Sequence, residues 1–213
     1  MQSFRLVPTM IQNLLLDWSG TLSDDLVPVY TASMKVLRRL GIGALSLDEF
    51  RREFELPYMR YYHKFKPDAN KLQVDRLFAE EFEKVEKPRP FAWTKQMLEY
   101  LFQRNFQMLV LSSHGKKVLQ REAIEYGFQH YFVDLYGGVH DKTQAIFKVM
   151  KRNHFLPERT AFVGDMSHDI DAGKKAGVKT IAVLWGYATR EQLMQSRPDF
   201  IVGNLSEFKT VLQ

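Results

Sequence analysis

From residue 91 onward, apolar and polar positions change period in a regular order. Residues 94–104 have the spacing of an amphipathic helix, 107–111 form a short apolar strand, and 115–126 return to helix before Gly127 stops it. The order then repeats: strand at 131–136, helix at 142–153, strand at 160–163, and helix at 169–176 ended by Gly177. Residues 180–184 and 200–202 supply the last strands, with helices at 189–195 and 206–212. Near the start, the run Leu14-Leu15-Leu16 adds one more strand, closed by Asp17. Alternation of this kind predicts an α/β fold built on a mainly parallel, doubly wound sheet.

Between residues 23 and 87 the strand signal disappears. Three helical stretches replace it: 29–40 ending at Gly41, one opened by Ser46 with Glu49 three positions on as a capping box, and 71–84. A helical block inserted after the first strand of a parallel sheet reads as a lid. The expected division is a core of residues 1–22 and 91–213 with a helical cap of residues 23–90. Its expected hinges are residues 23–25 and the segment Lys87-Pro88-Arg89-Pro90.

Composition narrows the chemistry. The chain has 213 residues, enough to bury a full core, and no cysteine, which excludes a disulfide framework, a thiolate nucleophile and a zinc-thiolate site. Any metal must be held by oxygen or imidazole. No stretch has the length and apolarity of a bilayer span, and Met1-Gln2-Ser3-Phe4-Arg5 lacks a secretory pattern, so the expectation is a cytoplasmic protein with no membrane partner. The net charge of +5 is spread along the chain, without a basic stripe interleaved with aromatics. It predicts a preference for small anionic molecules and no nucleic-acid partner.

Four strand ends carry polar residues, and ligands of open α/β sheets bind outside the carboxyl ends of strands. These residues are Asp17, Ser112-Ser113-His114, Lys142, and Asp165 with Asp169. Each has a simpler reading: Asp17 as a turn cap, Ser112 as a strand-end cap, Lys142 as a solvated helix start, and the two later aspartates as helix N-terminal acids.

Taken together, Asp17-Trp18-Ser19-Gly20-Thr21, Ser112, Lys142 and Val163-Gly164-Asp165-Met166-Ser167-His168-Asp169 resemble the four motifs of the haloacid dehalogenase superfamily, in its phosphatase branch with a helical cap. Residues 165–177, with Trp185-Gly186-Tyr187 and Pro198-Asp199-Phe200-Ile201, are similar to the phosphoglycolate phosphatase group. The resemblance covers nearly the whole chain and implies a phosphohydrolase acting through an aspartyl-phosphate on Asp17. It implies Mg²⁺ held by Asp17, the backbone carbonyl of Ser19 and Asp165, with Asp169 holding a metal-bound water. Ser112 and Ser113 would donate to phosphoryl oxygens, and Lys142 would neutralise nucleophile and phosphoryl group alike. A small phosphorylated metabolite is the implied partner, and the protein a monomer or homodimer.

Ser19 departs from the family pattern, in which the residue two after the nucleophile is an aspartate that serves as general acid and base. Such a group contributes about 10²–10⁴ in rate, and a serine hydroxyl does not ionise near neutral pH. One outcome is a phosphatase that uses activated esters or borrows an acid from His114, Asp24, Asp25 or His63. A second is carbon–phosphorus cleavage, because the first motif also resembles that of phosphonoacetaldehyde hydrolase, with Lys64 as the Schiff-base lysine. A third is a non-catalytic protein that binds Mg²⁺ and a phosphorylated ligand. Arg60, Tyr62, His63 and Lys64 of the cap are expected to face the site and read an anionic substrate; a solvated basic and aromatic helix face is the alternative for this stretch.

Overall fold

The computed structural model describes residues 11–213. The segment Met1–Arg5 and the first ten positions of the expected core lie outside the described residues. The chain enters through β1 (Asn13–Leu16) and β2 (Ser23–Asp24) and passes through α1 (Leu26–Arg39), α2 (Leu47–Glu53), α3 (Met59–Phe65) and α4 (Lys71–Phe82). After β3 (Arg89–Pro90) come α5 (Thr94–Gln103), β4 (Gln107–Leu111), α6 (Lys116–Glu125), β5 (Asp134–Tyr136) and α7 (Lys142–Asn153). The order closes with β6 (Thr160–Gly164), α8 (Ser167–Lys175), β7 (Lys179–Val183), α9 (Arg190–Gln195), β8 (Phe200–Val202) and α10 (Leu205–Thr210).

Six strands form one sheet in the order β5-β4-β1-β6-β7-β8, and every pairing is parallel. Both faces are buried, which is why the strands read as near-continuous apolar runs. Leu14, Leu16, Met108 and Val110 point to the face covered by Met97, Leu98, Leu101 and Leu119 of α5 and α6. Leu15, Leu109, Leu111 and Phe162 point to the other face, under Ile146 and Val149 of α7 and Ala172 of α8. The expected doubly wound α/β sheet is therefore the observed one.

The inserted helices have an apolar cluster of their own, centred on Leu37, Phe50, Tyr61, Val74 and Leu77. There are four of these helices, not three. The additional one, α3, is only seven residues long, and its crowded aromatics Tyr61 and Tyr62 blur the helical period. Both tyrosines are buried, so this stretch is not the fully solvated face that was one of its readings; Arg60, His63 and Lys64 are its exposed side. The Ser46 capping box forms as expected, with Ser46 Oγ accepting from Glu49 N at 3.2 Å.

The two junctions of the helical block pair with each other, Ser23 with Pro90 and Asp24 with Arg89, as a two-residue antiparallel ladder. Strand pairing thus occurs where only hinges were expected. β5 is shorter than the expected 131–136: a 3₁₀ turn occupies Gln129–Tyr131, and Tyr131 and Phe132 satisfy their apolar character by packing on the core. Among the described residues, no helix is long and apolar enough to cross a membrane.

Candidate active site

Register alone gathers the first site residues. Leu16 lies opposite Val110 on one side and Val163 on the other, so β1, β4 and β6 end at the same level. Asp17, Ser112 and Asp165 therefore leave the sheet at one edge, and Asp17 N donates to Val163 O at 2.9 Å. The first turns of α7 and α8 bring Lys142 and Asp169 to the same edge.

Asp17, Asp165 and Asp169 each present a carboxylate oxygen, and these oxygens lie within 4.8 Å of one another. Lys142 Nζ sits between two of them, 2.7 Å from Asp17 Oδ1 and 2.6 Å from Asp169 Oδ1. All four side chains are buried. Lys142 is thus not a solvated helix start. Asp169 does serve its helix, since its Oδ2 accepts from Met166 N at 3.1 Å, yet its other oxygen belongs to the cluster. Asp165 is held by Thr21 Oγ1 at 3.1 Å and by Tyr187 N at 2.7 Å.

The crowding shifts every group. Burial pushes the Asp17 carboxyl up to about 6 against the pull of Lys142, with the charge of Asp169 adding to the rise. Burial also raises Asp165 well above the ordinary carboxylate range, reinforced by the charges of Asp17 and Asp169. Asp169 moves down to about 2: burial opposes the shift, but Lys142 and then His168 outweigh it. Burial pulls Lys142 down, yet Asp169 and Asp17 together drive it upward.

Three buried carboxylates facing one ammonium are short of positive charge, and their oxygens are the donors a hard divalent cation takes. The residues present fit such an ion. The backbone is shaped to the cluster as well: a Cβ on Gly20 or Gly186 would overlap the Asp165 carboxylate, and one on Gly164 would overlap Asp169.

Ser112 is buried, and its Oγ accepts from His114 N at 3.1 Å, which leaves the hydroxyl hydrogen free to donate elsewhere. Ser113 follows it, half-buried, in the same loop.

A second polar network adjoins the first. Ser19 Oγ donates to Asp25 Oδ2 at 2.5 Å, while Asp25 Oδ1 accepts from Gly20 N at 3.0 Å and from Tyr187 Oη at 3.1 Å. His114 lies between two acids, with Nε2 3.7 Å from Asp25 Oδ2 and Nδ1 3.7 Å from Glu122 Oε2. Burial works against protonation of His114, but Glu122 and Asp25 outweigh it and shift the imidazole upward. Glu122 is in turn held by Trp18 Nε1 at 2.7 Å.

The structure brings together Asp17, Ser112, Lys142, Asp165 and Asp169, and places Ser19 and His114 on the adjoining network. Arg60, His63 and Lys64 are not among them. Arg60 is exposed, His63 pairs with Ala69 O at 3.1 Å, and Lys64 is engaged by Glu53 O at 2.7 Å and Glu55 Oε1 at 2.9 Å. Tyr62 is buried in the helical block. Arg51 links this block to the core, donating to the carbonyls of Gly186, Tyr187 and Ala188 at 2.9–3.1 Å. Tyr187 packs against Phe54 with ring centroids 5.4 Å apart. Thr21 and Tyr187 stand in the sequence motifs, but their hold on Asp165 is visible only in the folded chain, and Arg51 and Glu122 carry no local signal. Asp25 stood beside Asp24 in an acidic pair, but only the fold distinguishes the buried member from the exposed one.

The family model described as haloacid dehalogenase-like hydrolase matches residues 14–183. Phosphoglycolate phosphatase of Aquifex aeolicus is 27% identical over 203 residues, covering 91% of this chain and 93% of its own length. A 5'-nucleotidase of Pseudomonas aeruginosa is 23% identical, over 94% of this chain and 95% of its own. Among solved structures, a haloacid dehalogenase-like family hydrolase from Streptococcus pneumoniae superposes with a TM-score of 0.82 at 18% identity, covering 95% of this chain and 99% of that one.

Proposed function

The chain belongs to the haloacid dehalogenase-like hydrolases, and from that membership we propose that it is a Mg²⁺-dependent phosphatase of small phosphorylated metabolites that works through an aspartyl-phosphate on Asp17. The observation that carries the reading is the buried carboxylate of Asp17, 2.7 Å from Lys142 Nζ and grouped with Asp165 and Asp169. Relatives named for phosphoglycolate and nucleotide hydrolysis support a small phosphate monoester as substrate.

In this reading Asp17 attacks phosphorus with one carboxylate oxygen. Lys142, 2.7 Å from Asp17 Oδ1, offsets the charge of the approaching phosphoryl group. The Ser112 hydroxyl, its oxygen already accepting from His114 N, donates its hydrogen to a phosphoryl oxygen. Mg²⁺ would be held by Asp17, Asp165 and the Ser19 carbonyl, with Asp169 behind them, and would supply charge neutralisation at the phosphoryl oxygens. Residues 23–90 act as a cap over the sheet edge, docked through Arg51, and exclude water during transfer. Carbon–phosphorus cleavage through Lys64 has no support in the geometry, because that ammonium is paired with Glu53 and Glu55.

The test is a Mg²⁺ activity screen over p-nitrophenyl phosphate, acetyl phosphate, sugar phosphates, phosphoglycolate and phosphonoacetaldehyde. Turnover of a phosphate ester that Asp17→Asn abolishes is the expected result. Ester turnover that persists in Asp17→Asn would overturn the reading, as would phosphonoacetaldehyde cleavage stopped by borohydride trapping on Lys64. Mg²⁺-dependent ligand binding with no turnover of any compound would contradict it equally.

A further inference from the structure

We propose that Arg51 is a positioning residue for Asp165, so that docking of the helical block and uptake of a cation by the carboxylate cluster are one linked event. The inference rests on the metal-dependent phosphatase reading and concerns how this chain's own residues prepare Asp165 for the ion.

Two consecutive peptide units run between Arg51 and Asp165. In a trans peptide the carbonyl and the N–H are locked in one plane and point in opposite directions. The carbonyl of Gly186 accepts from Arg51 Nη2 at 3.1 Å, and the N–H of the same peptide, on Tyr187, donates to Asp165 Oδ2 at 2.7 Å. The next unit repeats the arrangement: the Tyr187 carbonyl accepts from Arg51 Nε at 2.9 Å, and Ala188 N donates to the Asp165 carbonyl at 3.3 Å. Each unit turns its carbonyl to the helical block and its N–H to Asp165. Arg51 Nη2 also reaches the Ala188 carbonyl at 3.1 Å, so three successive carbonyls converge on one planar guanidinium.

The inner side of this segment is a wall as well as a donor. A Cβ on Gly186 would stand 2.2 Å from Asp165 Oδ2, so the carboxylate rests directly on the backbone that Arg51 holds from outside. The guanidinium charge polarises both peptides, which strengthens the N–H bonds on their far sides. Arg51 is itself held in place by α2: Phe50 beside it is wholly buried in the cluster of the helical block, the Ser46 capping box fixes the helix start, and Phe54 packs on the ring of Tyr187. An arginine that only fastened the block to the core could use any surface acceptor. The acceptors of Arg51 are instead the far ends of the peptides that hold one carboxylate of the cluster. Linkage makes the effect reciprocal: docking favours the ion, and the ion favours docking by the same factor.

The test is calorimetric titration of the whole protein with Mg²⁺, without substrate. Arg51→Ala is expected to weaken Mg²⁺ binding by about 10–100-fold, although it removes no ligand of the cluster. Arg51→Lys keeps the charge but cannot serve three carbonyls at once, and its affinity should fall between the two. In an Asp165→Asn background, Arg51→Ala should change the affinity by less than about twofold, since the residue it acts through is gone. In the ion-free protein, hydrogen exchange at the Tyr187 and Ala188 amides should be at least about tenfold faster in Arg51→Ala, with helix content by circular dichroism unchanged. Mg²⁺ affinity of Arg51→Ala within about twofold of wild type, or an equal loss in the Asp165→Asn background, would overturn the linkage while leaving the phosphatase reading intact. A wild-type protein that takes up no Mg²⁺ would overturn the metal-dependent reading and the linkage with it.

Discussion

Replacing Lys142 with methionine probes the charge arrangement at the centre of the site. Its ammonium lies 2.7 Å from Asp17 Oδ1 and 2.6 Å from Asp169 Oδ1, and the side chain is 1% exposed. At an effective dielectric of about 20, each contact at that range is worth about 6 kcal/mol of attraction, from which the desolvation of the lysine removes several. Methionine fills a similar volume but leaves two carboxylates buried without their partner, for which the expected loss is about 3–5 kcal/mol. For a chain of this length that corresponds to a fall in Tm of roughly 6–20 °C.

The loss should depend on pH in a defined direction. Without Lys142 the carboxylates have folded-state pKa values above their unfolded value of about 3.9. The destabilisation is then complete above the folded pKa and disappears as pH falls toward the unfolded one. Urea unfolding of both proteins at pH 8, 6 and 4.5, with chelator present, measures it. A difference below about 1 kcal/mol at pH 8, or one that stays constant down to pH 4.5, would mean that Lys142 is not what holds the buried carboxylates ionised.

Other substitutions test separate parts of the account. Asp165→Asn should lower Mg²⁺ affinity by at least about tenfold in calorimetric titration while the fold is retained. Gly186→Ala should reduce Mg²⁺ binding as well, because the added Cβ overlaps the Asp165 carboxylate, and a crystal structure should show that carboxylate displaced. Asp199 accepts from Lys179 Nζ at 2.7 Å and from Thr180 N and Oγ1 at 2.9 Å. Burial opposes its ionisation, but these donors hold its carboxyl below the usual range. Asp199→Ala should cost about 1.5–3 kcal/mol at pH 7, with the difference from wild type fading as pH drops through the folded pKa of Asp199.

The core of the fold was legible because buried parallel strands and amphipathic helices each impose a period. The strands at 107–111 and 200–202 and the helix at 142–153 were read at their observed bounds. α3 was harder to see, since seven residues barely cover two turns and aromatics fall on consecutive positions. Within the site, Asp17, Ser112 and Asp165 were legible because each directly follows an apolar strand, and strand ends converge in a parallel sheet. Lys142 and Asp169 each had a plain reading at a helix start, and it was their place in the order of the four motifs that singled them out. Arg60, His63 and Lys64 were expected at the site from charge alone, and charge does not say which face of a short helix turns inward. Asp25 and Tyr187 are separated by 162 positions, and only the folded chain brings them to one hydrogen bond.

The central claim is that Asp17 becomes covalently phosphorylated. The direct measurement is acid quench of a single turnover with Mg²⁺ and the best substrate from the screen, borohydride reduction, and peptide mass analysis of residue 17. Conversion of Asp17 to homoserine only when substrate was present is the predicted result. Release of phosphate at the normal rate with Asp17 unmodified at every quench time would contradict the account.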